Sequence, residues 1–173
     1  MSSAFKDKLR KIRDASAKRS EIHLKLRSDQ DLVRSQRTVQ AFEFRESVEA
    51  VIEDYVKNFQ SEAPGFVLTR GFFEGKYMLA LRLDEEMLDE DGAHGRYFSR
   101  VIFLLDPHVD EKFFAIQTKK TIRNRDLETT SLTAEMSDKG HKEFATFVEA
   151  QFIEFAEQYF GEHSLSRPTT VST

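Results

Sequence analysis

The first 63 residues of the chain contain neither glycine nor proline, and Pro64 and Gly65 are the first of each. The same stretch is rich in Lys, Arg, Glu, Gln, Ala and Leu, which favour the α-helix. Because a proline disfavours helical geometry in the residue before it, the helix should end at Glu62 or Ala63. The sequence therefore predicts helix over almost all of this stretch.

Apolar residues are sparse in residues 1–40, which we call the N-terminal arm. Phe5, Leu9 and Ile12 share one helical stripe. A second stripe, rotated by about 90° on a helical wheel, consists of Ile22, Leu26 and Val33. Since the segment 27–40 is nearly all polar, it needs a partner or many intrahelical ion pairs to stay helical. We therefore expect a helix that is not uniform along its length.

Charge is strongly segregated between the arm and the rest of the chain. The arm holds 11 Lys or Arg against 5 Asp or Glu, a net charge of +6, whereas the remainder holds 15 against 25, or −10. Such asymmetry is typical of a chain that meets an anionic partner or its own acidic surface. The candidate partner-binding residues are Phe5, Lys6, Lys8, Leu9, Arg10, Lys11, Ile12, Arg13, Lys18 and Arg19.

Three kinds of partner fit a basic helix of this composition. It could neutralise the phosphates of nucleic acid, although aromatic residues for base stacking are missing beyond Phe5. It could lie on an anionic membrane, although three apolar positions are few for anchoring. We favour contact with another helix through the apolar stripe, as in a coiled coil, with a second copy or another protein as the partner.

The pattern beyond the arm predicts a helix, a β-meander and a second helix. Apolar residues within about 100° of arc mark the first helix as packing on a core: Phe44, Val48, Val51, Ile52, Tyr55 and Phe59. Strands are predicted at 66–73, 76–83, 96–105 and 112–119, with a short fifth strand as an option at 129–133. Glu74-Gly75 should form a tight hairpin. Because the connections are short, the strands should be antiparallel.

The second helix should begin near Asp138, with Ser137 as the competing N-cap, and end at Gly161. Its apolar positions are Phe144, Phe147, Val148, Phe152, Phe155 and Tyr159. We therefore predict a two-layer α+β fold: an antiparallel sheet of four or five strands flanked by an N-terminal and a C-terminal helix, with a basic helical arm. The expected organisation is an arm at 1–40, a domain at 41–162 and a disordered tail at 163–173.

Common catalytic and cofactor-binding signatures are missing from the sequence. It contains no GxxxxGK[ST], GxGxxG, HExxH or GxSxG pattern. The five histidines are scattered, and the acidic segment 84–95, predicted to be a loop, lacks the full EF-hand pattern of ligands. We therefore predict no catalytic, cofactor-binding or metal-binding residues and expect no cofactor.

Two further features leave alternatives open. A basic cluster after the fourth strand could bind an anion or be screened by the acidic segment, and it consists of Lys119, Lys120, Arg123 and Arg125. The 16 phenylalanines favour a Phe-packed core, with a Phe-lined ligand pocket between sheet and helices as the alternative.

The expected location is the cytoplasm, because the chain has no cysteine, no apolar segment after its N-terminal basic residues and no membrane-spanning stretch. We predict a non-enzymatic interaction module that self-associates, as a homo-oligomer, or binds a partner through its N-terminal helices. The alternatives are polyanion binding by the arm, and a small-ligand-binding or enzymatic fold with a Phe-lined pocket.

Overall fold

The computed structural model describes residues 3–88, 94–108 and 111–165. Two helices bracket the described strands, namely α1 (Ser3–Glu62) and α2 (Asp138–Leu165). The chain divides into two compact units, residues 1–40 and 41–173. Among the described residues, the first unit consists of the beginning of α1, and the second contains the end of α1, the strands and α2.

Helix α1 ends at Glu62, directly before Ala63 and Pro64, as the sequence predicts. The expectation of a non-uniform helix was wrong at the level of the backbone, because a single α-helix is assigned over Ser3–Glu62. The rotation of the apolar stripes therefore changes which face of the helix is apolar without interrupting the helix. Absence of glycine and proline explains this continuity.

Six described strands form one antiparallel sheet. In chain order they are β1 (Val67–Phe73), β2 (Lys76–Leu88), β3 (His94–His108), β4 (Phe113–Ile122), β5 (Arg125–Asp126) and β6 (Thr130–Glu135). The sheet order is β1-β2-β3-β4, after which β5 and β6 pair with different parts of β4. The predicted two-layer α+β architecture is confirmed, and the structure adds the two-residue strand β5.

The hairpin at Glu74-Gly75 is also confirmed, since it joins β1 to β2 in register Phe73↔Lys76. Both turn residues have positive φ, 52° for Glu74 and 77° for Gly75. This is the geometry of a type I′ turn, whose twist matches that of the flanking strands. Glycine adopts the second of these conformations without steric strain.

The predicted acidic loop was partly wrong. Residues 84–88 continue β2 and pair with the beginning of β3, down to Leu88↔His94. Backbone pairing with β3 therefore overrides the low strand propensity of Asp and Glu here. Residues 89–93 lie outside the described part of the chain.

The core lies between one face of the sheet and the two helices. From α1 it receives Val48, Ile52, Val56 and Phe59, and from α2 Phe144, Val148, Phe152, Phe155 and Tyr159. The sheet supplies the side chains that alternate along β2, β3 and β4, including Leu79, Phe103 and Phe114. Edge-to-face and stacked ring contacts join these layers, for example between Phe103 and Phe152 at 5.3 Å.

Helix α2 begins at Asp138 as predicted, with the competing choice Ser137 as its N-cap, whereas its predicted end needs correction. The N-cap is Ser137, whose Oγ accepts from the backbone N–H of Gly140 at 3.2 Å. At the other end, Gly161 lies within the helix, which continues to Leu165. A glycine can stop a helix by adopting a left-handed conformation, but it does not have to. Of the expected tail, residues 163–165 are therefore helical, and residues 166–173 lie outside the described part of the chain.

The second face of the sheet is opposite to the face that packs against α2 and against residues 41–62 of α1. Along each strand, the side chains of this face alternate with those that face the core. They include Met78, Ala80 and Arg82 on β2, and Arg100, Ile102 and Leu104 on β3. Ala80 and Leu104 are buried although neither belongs to the core cluster. The second face therefore has an apolar, partly buried centre of its own.

Candidate functional site

Two surfaces of the molecule could bind a partner, and each lies within one of the two units. The first is the arm. Every described side chain from residue 7 to residue 40 is exposed except that of Arg37, which is half-buried. The large apolar residues among these exposed side chains are Leu9, Ile12, Ile22, Leu24, Leu26, Leu32, Val33 and Val39.

The predicted partner-binding residues whose side chains the structure describes are exposed to solvent. Leu9 and Ile12 are 51% and 61% exposed. The basic side chains are exposed as well, and they are Lys8, Arg10, Lys11, Arg13, Lys18 and Arg19. Arg13 lies 3.6 Å from the carboxylate of Asp14, an exposed pair that contributes little to stability. The side chains of Phe5 and Lys6 lie outside the described part of the chain.

Three apolar residues of the arm lie at positions of a seven-residue repeat, in which Arg19 occupies the position between Ile12 and Leu26. Ile12, Leu26 and Val33 are 14 and 7 residues apart. On a straight helix a seven-residue repeat drifts by about 20° per repeat, and a left-handed supercoil removes that drift. The three residues lie within about 60° of arc on a straight helix, and winding of the arm around another helix would align them into a straight seam. Leu24 lies about 200° from Leu26, on the opposite side of the helix.

The second candidate surface is the second face of the sheet, which holds two adjoining pockets. The β1–β3 pocket has a volume of about 570 Å³ and is lined by residues including Val67, Ala80 and Arg82. The β3–β4 pocket has a volume of about 410 Å³ and is lined by residues including Phe73 and Leu104. Both pockets share three lining residues, Met78, Arg100 and Ile102.

The cations of these pockets differ in their partners. Arg82 donates from Nε and Nη2 to the carboxylate of Asp84 at 2.6–3.1 Å. This contact lowers the pKa of the Asp84 carboxyl and raises that of the Arg82 guanidinium. Arg100 instead donates from Nε to the hydroxyl of Thr121 at 3.2 Å. Lys119 has its ammonium 5.1 Å from the centre of the Phe73 ring.

The structure places the first two residues of the predicted basic cluster on opposite faces of the sheet. Lys119 faces the second face, whereas the side chain of Lys120 is fully buried and contacts Gln151 and Glu154 on α2. Adjacent residues of a strand point to opposite faces, which separates the two lysines. Arg123 lies in the turn after β4, with φ 45°, and its N–H donates to the Ser99 hydroxyl. Arg125 lies in β5.

Comparison of the chain with protein-family models, curated proteins and solved structures found no match.

Metal binding and membrane insertion were also considered for the residues that the structure describes. There, no three His, Asp or Glu side chains lie close enough to hold a metal ion. The described parts of α1 and α2 also contain no segment apolar and long enough to cross a bilayer. The candidate sites are therefore the arm and the second face of the sheet.

Arg100 is a site residue that the sequence pattern did not predict. Alternation along a single strand shows which of its residues share a face, but it does not give the register between strands. Arg100 pairs with Thr121, and Ile102 pairs with Lys119. This register places Arg100 and Lys119 diagonally on the same face. The sequence signal for this pair is the alternation of side chains along each of two adjacent strands, which indicates the residues that can share a face.

Proposed function

We propose that this protein is an interaction module that self-associates, with the arm of one copy paired with the arm of a second copy. The observation that carries the proposal is the exposed seam of Ile12, Leu26 and Val33 on a helix whose described side chains in residues 7–40 are nearly all exposed. Exposed apolar groups in a heptad repeat are the feature through which helices associate.

Helix stability supports the same proposal. An isolated helix in water is marginal when its sequence is polar, and most helices owe their stability to an apolar face packed on something else. Within residues 7–40, the large apolar side chains remain 44–65% exposed. Pairing of seams between copies would bury these residues and support the helix through the polar segment 27–40.

Charge distinguishes this function from polyanion binding. Because the arm carries a net charge of +6, two arms repel each other, and added salt should screen that repulsion and strengthen self-association. Binding of the same arm to nucleic acid releases counterions, so added salt should weaken it. The two functions therefore have opposite salt dependence.

Sedimentation equilibrium of the full chain, over a range of protein concentration and at low and high salt, tests the proposal. The test variant is Leu26→Ser within the seam, and the matched control is Leu24→Ser on the opposite side. Both leucines are exposed, at 52% and 65%. We expect the full chain to be a dimer or higher oligomer, Leu26→Ser to dissociate more readily, and Leu24→Ser to behave as the unaltered chain.

A monomeric full chain at tens of micromolar would overturn the proposal, as would equal effects of the two substitutions. Fluorescence anisotropy with labelled RNA and DNA at low salt tests the alternative. Binding that depends on the arm, combined with a monomeric protein, would assign the arm to a polyanion instead.

A further inference from the structure

We propose that the second face of the sheet binds a small amphiphilic carboxylate. The carboxylate head would lie at Arg100 and Lys119, and the apolar body would lie along Met78 and Ile102. This site uses a different unit of the chain from the arm, so its existence does not depend on self-association.

The first argument is the charge of the β3–β4 pocket. Arg100 and Lys119 have no carboxylate partner among the residues that the structure describes, whereas Arg82 pairs with Asp84 on the same face. The guanidinium of Arg100 lies 5.0 Å from the centre of the Phe98 ring, and Lys119 contacts Phe73 in the same manner. Ring faces hold these cations in position without neutralising them.

The carboxylate of Asp126 also lines this pocket, so the balance of charge matters. One carboxylate oxygen of Asp126 accepts a 2.7 Å hydrogen bond from the Thr121 hydroxyl. Lys120 also lines the pocket, but its ammonium contacts Gln151 and Glu154 on α2, so Arg100 and Lys119 against Asp126 leave a net charge of +1 there. An anion with one negative charge therefore complements it, whereas a multiply charged anion would exceed the available positive charge.

The second argument is the apolar floor beside the cations. Leu104 is 1% exposed, and Met78 and Ile102 are half-buried. Small-molecule sites in proteins are largely apolar with a few polar groups that fix orientation, and their volumes are about 300–1,000 Å³. Both adjoining pockets fall in this range, at about 410 and 570 Å³.

The residues that line both pockets determine the direction in which the ligand would extend. Since Met78, Arg100 and Ile102 line both pockets, a head in the β3–β4 pocket can send a hydrocarbon chain over Ile102 towards Ala80 and Val67 in the β1–β3 pocket. Val67 is 60% exposed and would gain burial from such a chain. The fitting ligand class is a medium-chain fatty acid.

Sodium decanoate is the probe, titrated into isotopically labelled full-length protein and followed by amide NMR shifts. Decanol tests the need for the charge, and acetate tests the need for the chain. We expect shifts along the residues of β2, β3 and β4 that contribute to the second face with decanoate, and at least about tenfold weaker binding of decanol and of acetate.

Variants identify the residues that bind the head. Arg100→Gln combined with Lys119→Gln should weaken decanoate binding by about tenfold or more. The matched control is Arg96→Gln, the same substitution on the same strand at a residue that lines neither pocket. That control should leave binding unchanged.

Several results would overturn the inference. Decanoate that causes no shifts on the second face up to its solubility limit would do so, and so would decanol that binds as tightly as decanoate. Equal binding of acetate would refute the apolar part of the site. These comparisons use the unaltered protein, so they remain decisive even if the double variant does not fold.

Discussion

The ammonium group of Lys120 lies 2.9 Å from Oε1 of Gln151, in the interior between β4 and α2. The Lys120 side chain is fully buried, and its ammonium also contacts the carboxylate of Glu154, whose side chain is 44% exposed. Gln151 accepts a second hydrogen bond from the Thr130 hydroxyl on β6. One buried lysine therefore joins the sheet to the C-terminal helix through a small polar cluster.

This arrangement predicts unequal effects of removing either member of the ion pair. Loss of one partner from a buried pair costs about 3–5 kcal/mol, and because Glu154 is partly exposed we expect Glu154→Ala to cost about 2 kcal/mol. Lys120→Met retains the buried apolar stem and removes the charge that must be desolvated, so it should cost less than about 1 kcal/mol. Urea unfolding followed by circular dichroism measures both, and a larger loss for Lys120→Met would refute this account.

Two glycines of α2 should respond in opposite directions to alanine. A Cβ at Gly140 would lie 1.9 Å from the carbonyl oxygen of Glu135, at the close approach between β6 and the start of the helix. Gly140→Ala should therefore destabilise the fold by about 2–4 kcal/mol.

Gly161 is the matched control for that substitution, because a Cβ there meets nothing within 4 Å. Gly161→Ala should stabilise the protein by about 0.5–1 kcal/mol, through the higher helix propensity of alanine. Thermal unfolding of the two variants measures the difference. A Gly140→Ala protein as stable as the unaltered chain would contradict the close approach.

Alkaline pH should destabilise the fold through Tyr159. Burial raises the pKa of its phenol, and its 3.0 Å hydrogen bond to the carboxylate of Glu85 raises that pKa further. In the unfolded chain the phenol has its ordinary pKa of 10.0 and ionises first. The stability that Tyr159 contributes is therefore fully present below about pH 10 and is lost progressively as the pH rises above it.

Urea unfolding at a series of pH values between neutral and strongly alkaline tests this expectation. The comparison variant is Tyr159→Phe, which keeps the ring in the core and has no phenol to ionise. Its free energy of unfolding should fall less steeply above about pH 10 than that of the unaltered protein. Parallel curves for the two proteins would show that the phenol is not protected in the folded state.

Helix content should depend on protein concentration if the arm needs a partner. Dilution of the full chain below its dissociation constant should reduce the circular dichroism signal at 222 nm, because the polar segment 27–40 is a marginal helix alone. For Leu26→Ser, the signal at 222 nm should begin to fall at a higher protein concentration than for the unaltered chain. For Leu24→Ser, it should fall at the same concentration as for the unaltered chain. A signal that is constant over the range where the oligomer dissociates would show that the arm helix is stable without pairing.

Local signals in the sequence were sufficient for much of the fold. Pro64 after a stretch without glycine or proline gave the end of α1, and Glu74-Gly75 gave the β1–β2 hairpin. The apolar spacing on both helices identified the residues that face the core, such as Val48 and Phe152. These features depend on residues close together in the chain, so periodicity and turn chemistry predict them.

What the sequence by itself determined is therefore the element order and the core faces, together with the segregation of positive charge into the arm. Tertiary structure alone decided which residues share a site. Pairing across strands extended β2 through the acidic residues, placed Lys119 beside Arg100 and buried Lys120 against α2. The physical reason is that a one-residue change in strand position reverses the face of a side chain. The register between strands therefore decides which distant residues meet, and no local pattern encodes it.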